Sequence, residues 1–164
     1  MGQSIALTVA TERICGEMHL ADFDDVELSN MNRLNAGIQD LGTPKVILAA
    51  RKIAELDPYI KVTCFEDGFI SANKEAFFTQ NGKIDILVEE CDSIDIKIQS
   101  RIDAKSLGIP VVMDTNDNGM IDIERFDLEP SRPILHGRIP ELEALSAEEL
   151  DKKLSTLSLE EKIG

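Results

Sequence analysis

Tryptophan is absent, and one tyrosine and six phenylalanines are the only other aromatic side chains in 164 residues. A chain with 4% aromatics is poor in the large rings on which nucleic-acid bases stack. Positive charge is also scarce: 17 lysines and arginines face 31 acidic residues, for a formal net charge of −14. Such a surface repels phosphate backbones and anionic lipid headgroups, which argues against nucleic acid or a membrane as partner. No apolar run approaches the ~18 residues that a membrane-spanning helix needs. The opening MGQSIALTVATERICGE has no basic n-region and no small-residue cleavage site, so it reads as a core helix rather than a signal peptide. The three cysteines, Cys15, Cys64 and Cys91, stand alone inside apolar segments, as expected of a reduced, cytoplasmic protein. No Cys-x-x-Cys pair occurs, so no zinc is expected.

What remains is an ordinary α/β composition, 43% apolar and 29% charged. A helix fits Ile5 to Ile14, and MHLAD (Met18–Asp22) reads as a buried strand ending in an acid. The stretch from Phe23 to Thr43 is polar and reads as a long loop. Pro44 suits a first helical turn, and Val46, Ala49, Ala50, Ile53 and Leu56 follow at helical spacing until Asp57-Pro58 stops the helix. Strands are expected over Tyr59–Phe65, Lys83–Glu90, Ile109–Thr115 and Met120–Phe126. Helices are expected over Asn73–Gln80 and Ile94–Leu107, the latter closed by Gly108. This alternation predicts a doubly wound, Rossmann-like, mostly parallel sheet over residues 1–130. Residues 131–164 form a tail of short helices with capping boxes at Ser146–Glu149 and Ser158–Glu161.

In doubly wound nucleotide-binding folds the first strand feeds a glycine-rich turn, and an acid about 20 residues on holds a ribose hydroxyl. Gly2 leads into a helix and Asp22 ends the next strand, which fits the second half of such a unit. The sequence then runs LADFDDVELSNMNR, GTPK and DILVEECDS. That succession resembles the ThiF/MoeB family, relatives of the ubiquitin-activating enzymes: Asp-x-Asp, Ser-Asn-x-x-Arg, Gly-x-Pro-Lys, then a strand ending near an Asp. The resemblance spans Gly2 to Asp127 and implies an N-terminally truncated fold without its first strand.

The resemblance also implies roles. Asp22 binds the ATP ribose, Asn30, Arg33 and Lys45 contact phosphates, Gly2 belongs to the nucleotide site, and Asp92 holds Mg²⁺. The implied catalytic set is Arg33, Lys45 and Asp92. The implied activity is ATP-dependent adenylation of the C-terminal carboxylate of a small ubiquitin-like or sulfur-carrier protein, by a homodimer. The alternative is a catalytically inactive nucleotide-binding or interaction domain of a larger multidomain protein. Several positions depart from the family pattern: Leu34 replaces the usual Gln, Glu89 the usual Asp, and Ser93 the usual Asn. Without the backbone donors of a glycine-rich turn, these 164 residues alone are expected to bind ATP weakly. Met18–Asp22 and Ile84–Val88 would flank the first strand in that fold, and direct pairing between them is the expected repair. Cys91 and His19 read as packed side chains, and His136 has no evident partner.

Overall fold

The computed structural model describes residues 2–115 and 120–143, together with 145, 149–150, 152–153 and 156. The chain packs as two units, Met1–Gly82 and Lys83–Gly164.

The first unit runs α1 (Gly2–Thr11), β1 (Glu17–Ala21), α2 (Met31–Leu34), α3 (Lys45–Leu56), β2 (Lys61–Phe65) and α4 (Lys74–Thr79). β1 and β2 are parallel, in register from Glu17 opposite Lys61 to Ala21 opposite Phe65. Parallel neighbours need a crossover of a dozen or so residues, and α3 supplies it. On α3 the residues Val46, Ala49 and Ile53 share one buried face. Ala6 and Ala10, one turn apart on α1, pack with Ile53 and Ile60, and Leu20 and Val62 lie against them. Asp57 leaves the helix at φ −148°, as expected of a residue before proline.

The scarce aromatics are concentrated: Phe65, Phe69, Phe77 and Phe78 meet edge to face at centroid distances of 5.4–5.7 Å. Such geometry sets ring edges against ring faces and adds to the burial energy. His19 completes the cluster as the core histidine its strand position suggests. Its Nδ1 lies 2.6 Å from the Phe77 carbonyl and so carries the proton, and its Nε2 is 3.3 Å from Glu17.

The second unit runs β3 (Leu87–Glu89), α5 (Ile94–Ser106), β4 (Val111–Thr115), β5 (Met120–Glu124), a 3₁₀ turn at Ile134–Gly137 and α6 (Pro140–Glu143). β3 and β4 are parallel, with α5 as their crossover, and α5 buries Ile98, Arg101 and Ala104. Gly108 sits at φ +62°, and the Ile109 N–H reaches back to Ala104 O, the αL helix stop its position predicts. β5 runs antiparallel to β4. Only four residues separate those strands, too few for a parallel crossover.

The mixed α/β architecture with parallel strands matches the expected class. Element limits are tighter than expected: the strand foreseen over Lys83–Glu90 is three residues long. Direct pairing of Met18–Asp22 with Ile84–Val88 is not among the strand pairings; β1 is hydrogen-bonded to β2 in one sheet, and β3 to β4 in another. The two expected capping boxes lie outside the described residues except for Glu149.

Candidate functional site

The expected site residues divide between the units: Gly2, Asp22, Asn30, Arg33 and Lys45 in the first, Asp92 in the second. In the first unit Gly2 opens α1, and the other four lie on the excursion that leaves the carboxyl end of β1 and returns at the start of α3. Its two limbs zip together: Val26 N–H donates to Thr43 O, Gly42 N–H to Val26 O, and Lys45 N–H to Asp24 O, each at 2.9 Å. Val26 is buried beneath the zipper, and Gly42 makes its turn at φ +76°, which glycine adopts without strain. The zipper brings Asp24 beside Lys45, whose Nζ is 2.5 Å from Asp24 Oδ2.

Asp22 follows directly on β1, and its Oδ1 accepts the Asp24 N–H at 2.9 Å. Burial pushes its carboxyl above the ordinary aspartate range, partly offset by the Asp24 amide and the Lys45 charge. A carboxylate desolvated at the end of a strand, with one oxygen still free, suits a ribose hydroxyl. The cost follows from linkage. A folded pKa raised above the unfolded one contributes stability at low pH and loses it as pH rises through the folded value. Asp22→Asn is therefore expected to raise the melting temperature at pH 7 and to have little effect at pH 3. Equal shifts at both pH values would contradict the burial strain.

Asn30 is buried, and its Oδ1 accepts the Glu27 N–H at 3.0 Å. Arg33 is exposed on α2, and no ion pair among the described residues engages its guanidinium. Two residues not foreseen fix α2. Gln3 Nε2 and Lys52 Nζ each donate to Leu34 O at 3.0 Å, and Lys52 also reaches Asn35 O. These donors satisfy carbonyls at the helix end and hold the turn that carries Arg33. Gln3 ties that turn to the Gly2 end of α1. A signal for Lys52 was present: it lies seven residues after Lys45, two turns along the same helix.

In the second unit Asp92 is exposed in the loop between β3 and α5. Among the described residues no three His, Cys, Asp or Glu side chains gather to hold a metal. A lone carboxylate is still compatible with Mg²⁺, which keeps several waters and binds through one or two carboxylates plus phosphates. Its neighbour Glu90 accepts the Asp114 N–H at 3.1 Å, and burial raises its carboxyl pKa. Burial pushes the Cys91 thiol up to about 11, and its Sγ is 3.7 Å from Ser93 O. The thiol stays protonated at neutral pH, as a packing role requires.

Glu89, the acid that ends β3, is committed to internal partners. It is buried, taking the Cys91 N–H at 2.7 Å, Lys97 Nζ at 3.1 and 3.2 Å, and Arg101 Nη1 at 2.8 Å. Arg101, fully buried, continues to Glu124 through Nε at 2.7 Å. Nothing local in the sequence indicates this network, because its members lie 8 to 23 residues apart. His136 does have partners: Nε2 is 2.6 Å from Asp122 Oδ1, and Arg132 Nη2 is 3.1 Å from Nδ1. The left-handed turn at Leu135 and His136 brings the ring to β5, a contact that local sequence cannot show.

Against known proteins, the chain is 46% identical over 143 residues to the uncharacterized protein MT1398 of Mycobacterium tuberculosis, which is 87% of this chain and 20% of that protein. It is 33% identical over 99 residues to tRNA threonylcarbamoyladenosine dehydratase 2 of Saccharomyces cerevisiae, 60% of this chain and 22% of that protein. It thus spans about a fifth of the length of either curated relative. Among solved structures it resembles the Escherichia coli tRNA N6-threonylcarbamoyladenosine dehydratase in complex with AMP, with TM-score 0.60 and 23% identity over 98% of this chain and 65% of that one. That likeness shows a common fold. The model of the ThiF family matches residues 2–115, and the chain belongs to that family.

Proposed function

We propose that this chain contributes the ribose- and phosphate-binding part of an ATP-dependent adenylyltransferase of the ThiF type. The observation that carries this reading is a half-buried Asp22 at the end of β1 that feels the charge of Lys45, itself ion-paired to Asp24, all inside the matched residues. In adenylation a carboxylate attacks the α-phosphate and pyrophosphate leaves, so negative charge crowds one place and cations must meet it. Lys45 opens a helix of 12 residues, whose amino end favours anions. Arg33, exposed on α2 in the same excursion, has no ion-pair partner among the described residues. Bound ATP supplies the activated phosphate, and the resemblance to the family assigns its Mg²⁺ to Asp92. The related dehydratase crystallised with AMP supports a nucleotide ligand.

The finer reading is activation of the C-terminal carboxylate of a small ubiquitin-like or sulfur-carrier protein, in the cytoplasm, by a homodimer. A clean monomer by light scattering at high protein concentration would contradict the homodimer. A second reading, a nucleotide-binding or interaction domain without turnover, is favoured by the Asp24–Lys45 ion pair, which occupies the cation before any phosphate arrives. ATP–pyrophosphate exchange separates the two, since only adenylation returns labelled pyrophosphate to ATP.

A further inference from the structure

The family match ends at residue 115, and the chain beyond it builds an open surface pocket of about 550 Å³ lined by residues 128–133 and His136. Arg132 and His136 on its wall form an ordered row with Asp122, which lies behind them. Arginine only donates, so the contact from Arg132 Nη2 makes His136 Nδ1 an acceptor. The proton therefore sits on Nε2 and is given to Asp122 Oδ1 at 2.6 Å. The Asp122 side chain is only 9% exposed, so it anchors the row from within the protein, while the His136 side chain is 43% exposed and faces solvent.

The backbone beneath is held with equal care. Leu135 and His136 both adopt left-handed φ, at 47° and 55°, a conformation uncommon for residues other than glycine and concentrated at functional positions. Two carboxylates hold that turn: Glu124 accepts the Leu135 N–H at 2.6 Å, and Glu143 accepts the Ile134 N–H at 3.2 Å. Ile134 is fully buried below it.

Arg132 itself is not satisfied. Its Nε–H is buried and has no acceptor among the described residues. Its partner is Glu129, 3.1 Å from Nη1 and 62% exposed, a contact water and salt weaken readily. An oriented guanidinium with an orphan N–H and an exposed carboxylate already against it is arranged as for a planar oxyanion, with Glu129 standing in its place.

We propose that this pocket binds an oxyanion, a carboxylate or phosphate group, with Arg132 as its anchor and His136 and Asp122 as the residues that orient it. The site is independent of the nucleotide residues above.

The test is an NMR titration of the full chain with sodium phosphate and, separately, sodium acetate, against sodium chloride at matched ionic strength. The Arg132 Nε–H and the His136 ring are the signals followed. A saturable shift with either oxyanion and none with chloride is expected, and the tighter of the two identifies the ligand class. Glu129→Gln removes the competing carboxylate and is expected to tighten binding about twofold to fivefold. Arg132→Lys keeps the charge but loses the fork, and is expected to weaken binding at least about tenfold. Glu129→Gln leaves every contact of the turn in place, and Arg132→Lys removes only the Nη2 contact to the His136 ring. Absence of saturation, or equal affinity in the wild type and both variants, would overturn the proposal.

Discussion

Arg101→Met is expected to cost the second unit about 3–5 kcal/mol, a large part of the stability of a domain this size. Arg101 is fully buried and ties Glu89 on β3 to Glu124 on β5, both themselves buried. Methionine fills much of the space but leaves Glu124 without its ion-pair partner. Glu89 keeps Lys97, a partly exposed cation, which recovers only part of the loss. The backbone consequences add to it. Glu124 also holds the Leu135 N–H and Glu89 the Cys91 N–H, so a repelled carboxylate disturbs the left-handed turn and the Asp92 loop together. Adding Glu89→Gln and Glu124→Gln removes the unpaired charges while keeping the acceptors for both amides. The triple variant is therefore expected to be more stable than Arg101→Met alone. Urea unfolding of the three proteins is the measurement. An Arg101→Met variant within about 1 kcal/mol of wild type would show that the network contributes little.

The same residues show where sequence reasoning succeeds and where it stops. α3 and α5 were legible because their signals are local: Pro44 and Asp57-Pro58 bound one, and Gly108 closes the other. β1 was legible as a short apolar run ending in an acid, and the loop motifs that follow it carried the family. β3 is shorter than its apolar run, because Lys83–Glu90 is apolar enough for a strand but only Leu87–Glu89 finds a partner in β4. The Asp24–Lys45 pair spans 21 residues and exists only because the two limbs of the excursion zip together. The partner of His136 is hidden for the same reason: Asp122 lies on β5, and the 3₁₀ turn that carries the ring is left-handed at two residues where sequence predicts nothing unusual. Periodicity reports which face is buried, and it is silent on which buried charges meet.

The largest functional effect is expected at Lys45. Removing one preorganised cation or donor from a site of developing negative charge typically costs about 10²–10³ in turnover. Lys45→Met also frees Asp24, so a carboxylate remains where phosphate oxygens are to be bound, and the loss is expected at the upper end of that range. Arg33→Met removes a charge that is exposed and unpaired, and its effect is expected to be smaller. The direct measurement is ATP–pyrophosphate exchange by the natural full-length protein, with the small-protein fraction of its own cells as source of the acceptor carboxylate. Exchange that needs this fraction, falls at least about 100-fold in Lys45→Met and falls less in Arg33→Met, with folding unchanged, is the expected result. No exchange in the wild type, or wild-type exchange in Lys45→Met, would contradict an adenylation site at the end of β1.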